Sequence, residues 1–216
     1  MKKHVMFLLI CFAVVLAVAS IGQAQKKITG PWLWMIAPAG PVGGVAVTDV
    51  DTLKKTSGGS VTQESVAKNG VKAGSACGKL NWTWGEISAT GSDNVNDVVT
   101  KIGFGKGDVD RHDSWAYLEL DAAAKKGVTA KAGSDDSIKI WLNGKVVHKN
   151  AVDRGAGDFQ DTFKVDLIDG INRLLVKVGE KTGGWSMFVG VDANYNVVAV
   201  ESAGKLSTKW ASIKNR

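Results

Sequence analysis

The second half of the chain alternates between apolar and polar residues. From residue 115 onward the period is two nearly everywhere, which is typical of β-strands that bury one face. Ile138, Ile140 and Leu142 fall on one face of such a strand, whereas Lys139 and Trp141 fall on the other. The same pattern predicts strands at residues 115–121, 128–132, 138–142, 145–148, 163–167, 174–178, 185–191 and 197–200.

Glycine-containing turns separate these segments. Asn143-Gly144 is the strongest of them, because both positions of a two-residue hairpin turn favour positive φ. The first half of the chain predicts strands at residues 28–36 and 80–87, short helices at 49–55 and 63–69, and one or two helical turns at 95–102. Several short strands with few helices predict an all-β fold, an antiparallel β-sandwich.

Two stretches of the chain resemble known sandwich domains. The first reads Gly133-Ser-Asp-Asp-Ser-Ile-Lys-Ile-Trp-Leu-Asn-Gly-Lys-Val-Val, and the second reads Gly170-Ile-Asn-Arg-Leu-Leu-Val-Lys-Val. Together they resemble the galactose-binding-like domains that accompany glycoside hydrolases, and also the sugar-binding PA14 domain. The resemblance spans residues 115–192 and implies a jelly-roll β-sandwich that binds glycans without catalysing a reaction.

The two ends of the chain differ from the predicted sandwich. Lys2 and Lys3, an uncharged apolar run at 5–18 and the small-residue site Gly22-Gln23-Ala24 predict a signal peptide at 1–24, with cleavage after Ala19 as the alternative. We therefore predict a secreted or periplasmic protein whose sandwich occupies residues 25–200. No other run of the chain is apolar for 18 residues, so we predict no transmembrane segment in the mature protein.

Residues 201–216 predict an amphipathic tail. Leu206, Trp210 and Ile213 are spaced as on one face of a helix, with basic residues around them. A helix this short needs a surface to lie on. That surface is either the sandwich itself or a membrane.

Charge and cysteine content narrow the possible partners. The 27 basic and 21 acidic residues are well mixed, and loss of Lys2 and Lys3 with the leader lowers the net charge from +6 to +4. We therefore predict no nucleic-acid partner. Cys77 would be the only cysteine of the mature chain, so no intrachain disulfide can form and burial of the core must stabilise the domain.

Asp135 and Asp136 are the candidate metal ligands. The PA14 resemblance implies that this pair coordinates calcium, which in turn holds sugar hydroxyls. Calcium prefers hard oxygen ligands, and two carboxylates neutralise its charge. The alternative is a polar turn in which the Asp side chains bond their own backbone.

Trp141 and Trp185 are the other candidate ligand-binding residues, among eight tryptophans. Trp141 lies opposite the Ile138–Leu142 apolar face, where a flat indole is either a stacking platform for a sugar or part of a covered layer. Trp185 follows Gly183-Gly184 and either lines a pocket or begins a core strand.

No catalytic motif is recognisable in the chain. The segment Gly184-Trp-Ser-Met-Phe lacks the second glycine of a nucleophile elbow, and no HExxH motif exists. We therefore predict a secreted, non-catalytic carbohydrate-binding module that is not an enzyme. The alternative is a structural or assembly protein of the cell envelope that uses the sandwich to contact an envelope protein. Fold alone does not separate these functions.

Overall fold

The computed structural model describes residues 26–106 and 109–200. The predicted signal peptide at 1–24 and the predicted tail with Leu206, Trp210 and Ile213 lie outside the described residues. Within the described ranges the strands are β1 Trp32–Pro38, β2 Ala76–Cys77, β3 Leu80–Asn81, β4 Thr83–Gly85, β5 His112–Ala122, β6 Lys125–Asp135, β7 Ser137–Leu142, β8 Lys145–Asn150, β9 Asp161–Leu167, β10 Gly170–Gly179, β11 Ser186–Val191 and β12 Tyr195–Val198. The helices are α1 Thr52–Thr56, α2 Gln63–Asn69 and α3 Asn94–Lys101, with a 3-10 turn at Gly44–Val47.

Ten of the strands form two antiparallel sheets that face each other. The larger sheet has the order β4-β1-β5-β10-β7-β8, with β12 also paired to β5, and the smaller sheet has the order β11-β6-β9. β2 and β3 form a separate short ribbon. The predicted all-β fold, an antiparallel sandwich with a few short helices, is confirmed. Among the described residues, no helix is both long enough and apolar enough to cross a membrane.

The main core lies between the two sheets. Ile138, Ile140 and Leu142 of β7 point into it, as the alternation predicted, and so do Trp32 and Trp34 of β1. Burial of one large apolar side chain contributes roughly 1.5–3 kcal/mol. A core of this size can therefore stabilise the domain without a disulfide.

A second apolar layer covers the opposite face of the larger sheet. Leu53 of α1 and Val66 of α2 pack there against Trp115, Trp141 and Leu175. Both faces of the larger sheet are therefore buried, one by the smaller sheet and the other by the helical segments.

Local sequence signals explain where several elements begin and end. The Thr62 side chain accepts a hydrogen bond from the Ser65 backbone N–H, and the Ser65 side chain accepts one from the Thr62 N–H, so α2 begins with a reciprocal cap. Gly70 follows that helix with φ +78°, at the end predicted for the helix at 63–69. Asn143 and Gly144 form the predicted hairpin turn with φ values of +52° and +79°. The strand predicted at 80–87 is instead divided into β3 and β4.

Candidate functional site: an acidic cluster at one end of the sandwich

Asp135 and Asp136 lie where the chain passes from one sheet to the other. Asp135 is the last residue of β6 in the smaller sheet, and Ser137 is the first residue of β7 in the larger sheet. The peptide bond between the two aspartates is cis. The fold thus places both carboxylates at one end of the sandwich, between its layers.

Glu180 joins them from the end of β10. Antiparallel pairing of β10 with β7 places Gly179 opposite Ser137, and the Asp136 N–H donates to the Gly179 carbonyl at 3.2 Å. Glu180 is the next residue along the chain. One carboxylate oxygen from each of Asp135, Asp136 and Glu180 lies within 4.8 Å of the other two.

Backbone N–H groups hold the two aspartates in place. Asp136 accepts from the N–H of Lys181 at 2.9 Å and from the N–H of Arg154 at 3.2 Å, and Asp135 accepts from the N–H of Ala156 at 3.2 Å. The connection between β8 and β9 therefore wraps around the cluster. This finding supports part of the turn alternative, because the aspartates do bond the backbone, but the groups that they bond are distant in sequence.

Glu180 has no such partners. Its exposed fraction is 0%, and within residues 26–106 and 109–200 neither of its carboxylate oxygens accepts a hydrogen bond. Burial, followed by the negative charges of Asp136 and Asp135, raises the pKa of Glu180 to about 9. A buried carboxylate without a partner is costly, so at neutral pH this group must hold a proton or face a cation.

The pKa values of the two neighbouring carboxyl groups are also raised. Burial and the charge of Asp136 raise the pKa of Asp135 to about 6, and burial also raises the pKa of Asp136. Among the described residues, no basic side chain forms an ion pair with any of the three. The nearby Arg154 side chain pairs with Asp161 and the Lys181 side chain with Asp153. The cluster consequently attracts positive charge.

This donor set fits a hard divalent cation. All three side chains offer oxygen, and none of the ligands is the cysteine or histidine that zinc prefers. The loops that frame the cluster approach it through glycines: a Cβ on Gly184 would lie 3.1 Å from Asp135 Oδ2, and one on Gly44 would lie 3.2 Å from Asp136 Oδ2. Gly44 also has φ +57°, a conformation that favours glycine.

Trp141 does not lie in this cluster. Its exposed fraction is 2%, and its ring lies 5.8 Å from that of Trp115 beneath the helical layer. The stacking-platform interpretation of Trp141 is therefore wrong for this structure, since a sugar cannot reach the indole face. The covered-layer alternative is confirmed, and the physical reason is that α1 and α2 bury the second face of the sheet.

Trp185 is also buried, with an exposed fraction of 0% in the core between the sheets. Its indole cannot line an open pocket, so the core alternative is confirmed here too. Its backbone N–H nevertheless donates to Asp93 Oδ1 at 3.0 Å. The negative charge of Asp93 is one of the contributions that raise the pKa of Glu180.

Sequence reasoning found two of the three clustered carboxylates and missed Glu180. The available signal was its position two residues after the strand predicted at 174–178. Recognising the site also required knowing that this strand pairs with β7, because Glu180 lies more than 40 residues after the two aspartates in the sequence.

Comparison with known proteins adds one distant structural likeness. No protein-family model matches the chain, and no curated protein matches it. The chain is similar to a solved PA14 sugar-binding domain from an RTX adhesin, with 14% identity, coverage of 54% of this chain and 74% of that chain, and a TM-score of 0.36. A TM-score and an identity this low assign neither a family nor a ligand to the present chain.

Proposed function

We propose that this protein is a non-catalytic carbohydrate-binding module that holds calcium between Asp135, Asp136 and Glu180. The observation that carries the proposal is the Glu180 carboxyl group, which is fully buried, has no hydrogen-bond partner in the described part of the chain, and lies within 4.8 Å of two further carboxylates. A divalent cation would neutralise this cluster and supply the missing partner.

The position of the cluster suits recognition of a ligand from solvent. Asp135 is partly exposed, whereas Asp136 and Glu180 are buried, so a cation would have protein on one side and solvent on the other. Calcium takes roughly six to eight oxygen ligands, and three side chains leave positions open. Adjacent hydroxyl groups of a sugar are neutral hard oxygens that can fill them. The PA14 resemblance of residues 115–192 supports the same ligand class.

A hydrolase is the competing interpretation of the same residues. Glycosidases use two carboxyl groups about 5–9 Å apart, one of them held protonated, and Glu180 with its raised pKa meets the second condition. However, a general acid must touch the substrate. Glu180 is fully buried, so it is suited to hold an ion rather than to protonate a glycosidic oxygen.

Calcium titration and a glycan array test the proposal. We expect chelator-treated protein to bind calcium with a dissociation constant on the order of 10⁻⁴–10⁻³ M, as extracellular calcium modules do. Asp136→Asn and Glu180→Gln should each weaken that binding at least tenfold. The matched control is Asp121→Asn. It removes an exposed carboxylate near the end of β5 that is far from Glu180, whose N–H donates to the His112 carbonyl at the opposite end.

The glycan array tests whether the cluster serves calcium-dependent glycan binding. Glycan signals that appear with calcium and vanish with chelator or Glu180→Gln support the proposal. The proposal would be overturned if the protein did not bind calcium, or if it bound glycans equally well with and without calcium. Release of product from model glycosides would favour the hydrolase instead.

A further inference from the structure

A second buried polar group lies on the opposite side of the larger sheet from the main core. Lys177 of β10 and Asp113 of β5 lie on neighbouring strands, with Lys177 Nζ 3.0 Å from Asp113 Oδ2. The exposed fractions of the two side chains are 1% and 0%. Such complete burial of a lysine beside an aspartate is uncommon and places the amine and the carboxyl group in a water-free setting.

The main chain orients the lysine. Lys177 Nζ donates to the carbonyl of Val47 and, at 2.7 Å, to the carbonyl of Val50. A neutral amine has two N–H donors and one lone pair. These two carbonyls match the two donors, and Asp113 Oδ2, 3.0 Å from Nζ, is the third acceptor, which the ammonium form meets with its third N–H.

Two further side chains orient the carboxyl group. Trp115 Nε1 donates to Thr52 Oγ1 at 3.0 Å, and Thr52 Oγ1 donates to Asp113 Oδ2 at 2.7 Å. The other oxygen, Oδ1, has no hydrogen-bond partner among the residues that the structure describes. Oδ2 therefore contacts both Lys177 Nζ and the Thr52 hydroxyl, which makes it the oxygen that can take the lysine's proton, while Oδ1 is the less restrained oxygen.

We propose that Lys177 and Asp113 condense into an intramolecular isopeptide bond. A proton first passes from the ammonium to Oδ2 of the carboxylate, which leaves a neutral amine and a carboxylic acid with its hydroxyl at Oδ2. The nitrogen lone pair then forms a bond to Asp113 Cγ. The bond from Cγ to the hydroxyl oxygen breaks, and that hydroxyl leaves with a proton from the nitrogen as one water molecule. The reaction needs no oxidant and no co-reactant.

The surroundings favour the neutral pair from which this reaction starts. Burial lowers the pKa of Lys177 and raises the pKa of Asp113, and each shift is opposed by the charge of the partner. Groups held in such contact react as if present at about 10⁵–10⁸ M. That proximity, together with exclusion of water, offsets the tendency of amides to hydrolyse in bulk solution.

The mass of the folded full chain tests the proposal directly. We expect it to be lighter than its sequence by one water. Trypsin should release residues 112–125 and 174–181 as one branched species, with no cleavage after Lys177. Lys177→Arg and Asp113→Ala should restore the full mass, and Thr52→Val should slow the loss of water during refolding without changing its end point.

The chain contains its own control pair. Lys139 Nζ lies 2.8 Å from Asp49 Oδ1, but that aspartate is 61% exposed, so its peptides should remain separate. Folded wild-type protein that keeps its full mass and yields separate 112–125 and 174–177 peptides after prolonged incubation overturns the proposal. That result does not depend on whether any variant folds.

Discussion

Replacement of Glu180 by Gln should change how stability depends on pH. Burial raises the pKa of Glu180 from 4.5 to about 9. Between these values the folded protein keeps a proton that the unfolded chain has released. The unfolded state therefore binds fewer protons, and the free energy of unfolding falls as pH rises through this window.

The magnitude follows from one proton. Each pH unit inside the window lowers the free energy of unfolding by about 1.4 kcal/mol, so from pH 6 to pH 8 the Glu180 contribution falls by about 2.7 kcal/mol. Glutamine has nearly the shape of the protonated acid and does not titrate. Glu180→Gln should therefore match the wild type at about pH 4.5 and below, exceed its stability by about 2 kcal/mol at pH 6, and exceed it by about 4.7 kcal/mol at pH 8.

Urea denaturation in the presence of chelator measures this difference. The groups that share the environment of Glu180, namely Asp93, Asp110, Asp135 and Asp136, are present in both proteins, so the comparison largely cancels their direct titration. Calcium added to the wild type should remove the decline, because the ion replaces the proton and stabilises the folded state by about 2.7 kcal/mol at a hundredfold excess over its dissociation constant. Parallel pH profiles for the two proteins in chelator would refute the reasoning.

Three further changes have expected outcomes. Trp141→Ala should lower the free energy of unfolding by about 3–5 kcal/mol through a buried cavity, with calcium affinity unchanged in a titration; loss of calcium binding in a well-folded variant would contradict the placement of the site. Thr62→Ala should cost about 1 kcal/mol by removing the cap of α2, whereas Ser60→Ala on the exposed turn before it should be nearly neutral in the same denaturation assay. Deletion of residues 201–216 should lower the melting temperature, because Leu206, Trp210 and Ile213 would be lost and Val200, which precedes them, lines a groove with Val66 and Trp82. Normal melting with loss of binding to anionic vesicles would favour the membrane alternative.

Local patterns were sufficient for the sandwich and its turns. Period two places Ile138 and Ile140 together in the core because the strand geometry alone fixes that relation. The Asn143-Gly144 turn and the Thr62 cap depend on neighbouring residues only, and both are present. These features are encoded within a few residues of where they appear.

Features that depend on distant segments could not be predicted in the same way. Alternation shows that Trp141 and Lys177 face away from the main core, but it does not show whether that second face meets water. The face is buried by α1 and α2, which precede Trp141 by more than 70 residues. Glu180 likewise joins the aspartates only through the register between β7 and β10.

The acidic cluster lies between the two sheets, so ligand binding and stability depend on the same residues. Asp135 ends a strand of the smaller sheet, while Asp136 and Glu180 adjoin strands of the larger one. An ion bound there would link the two sheets to each other as well as bind a ligand from solvent. Substitutions of these carboxylates that alter ligand binding would therefore also alter the free energy needed to separate the two sheets. Hydrogen exchange of backbone amides at the ends of β6 and β10 would measure this link between binding and stability.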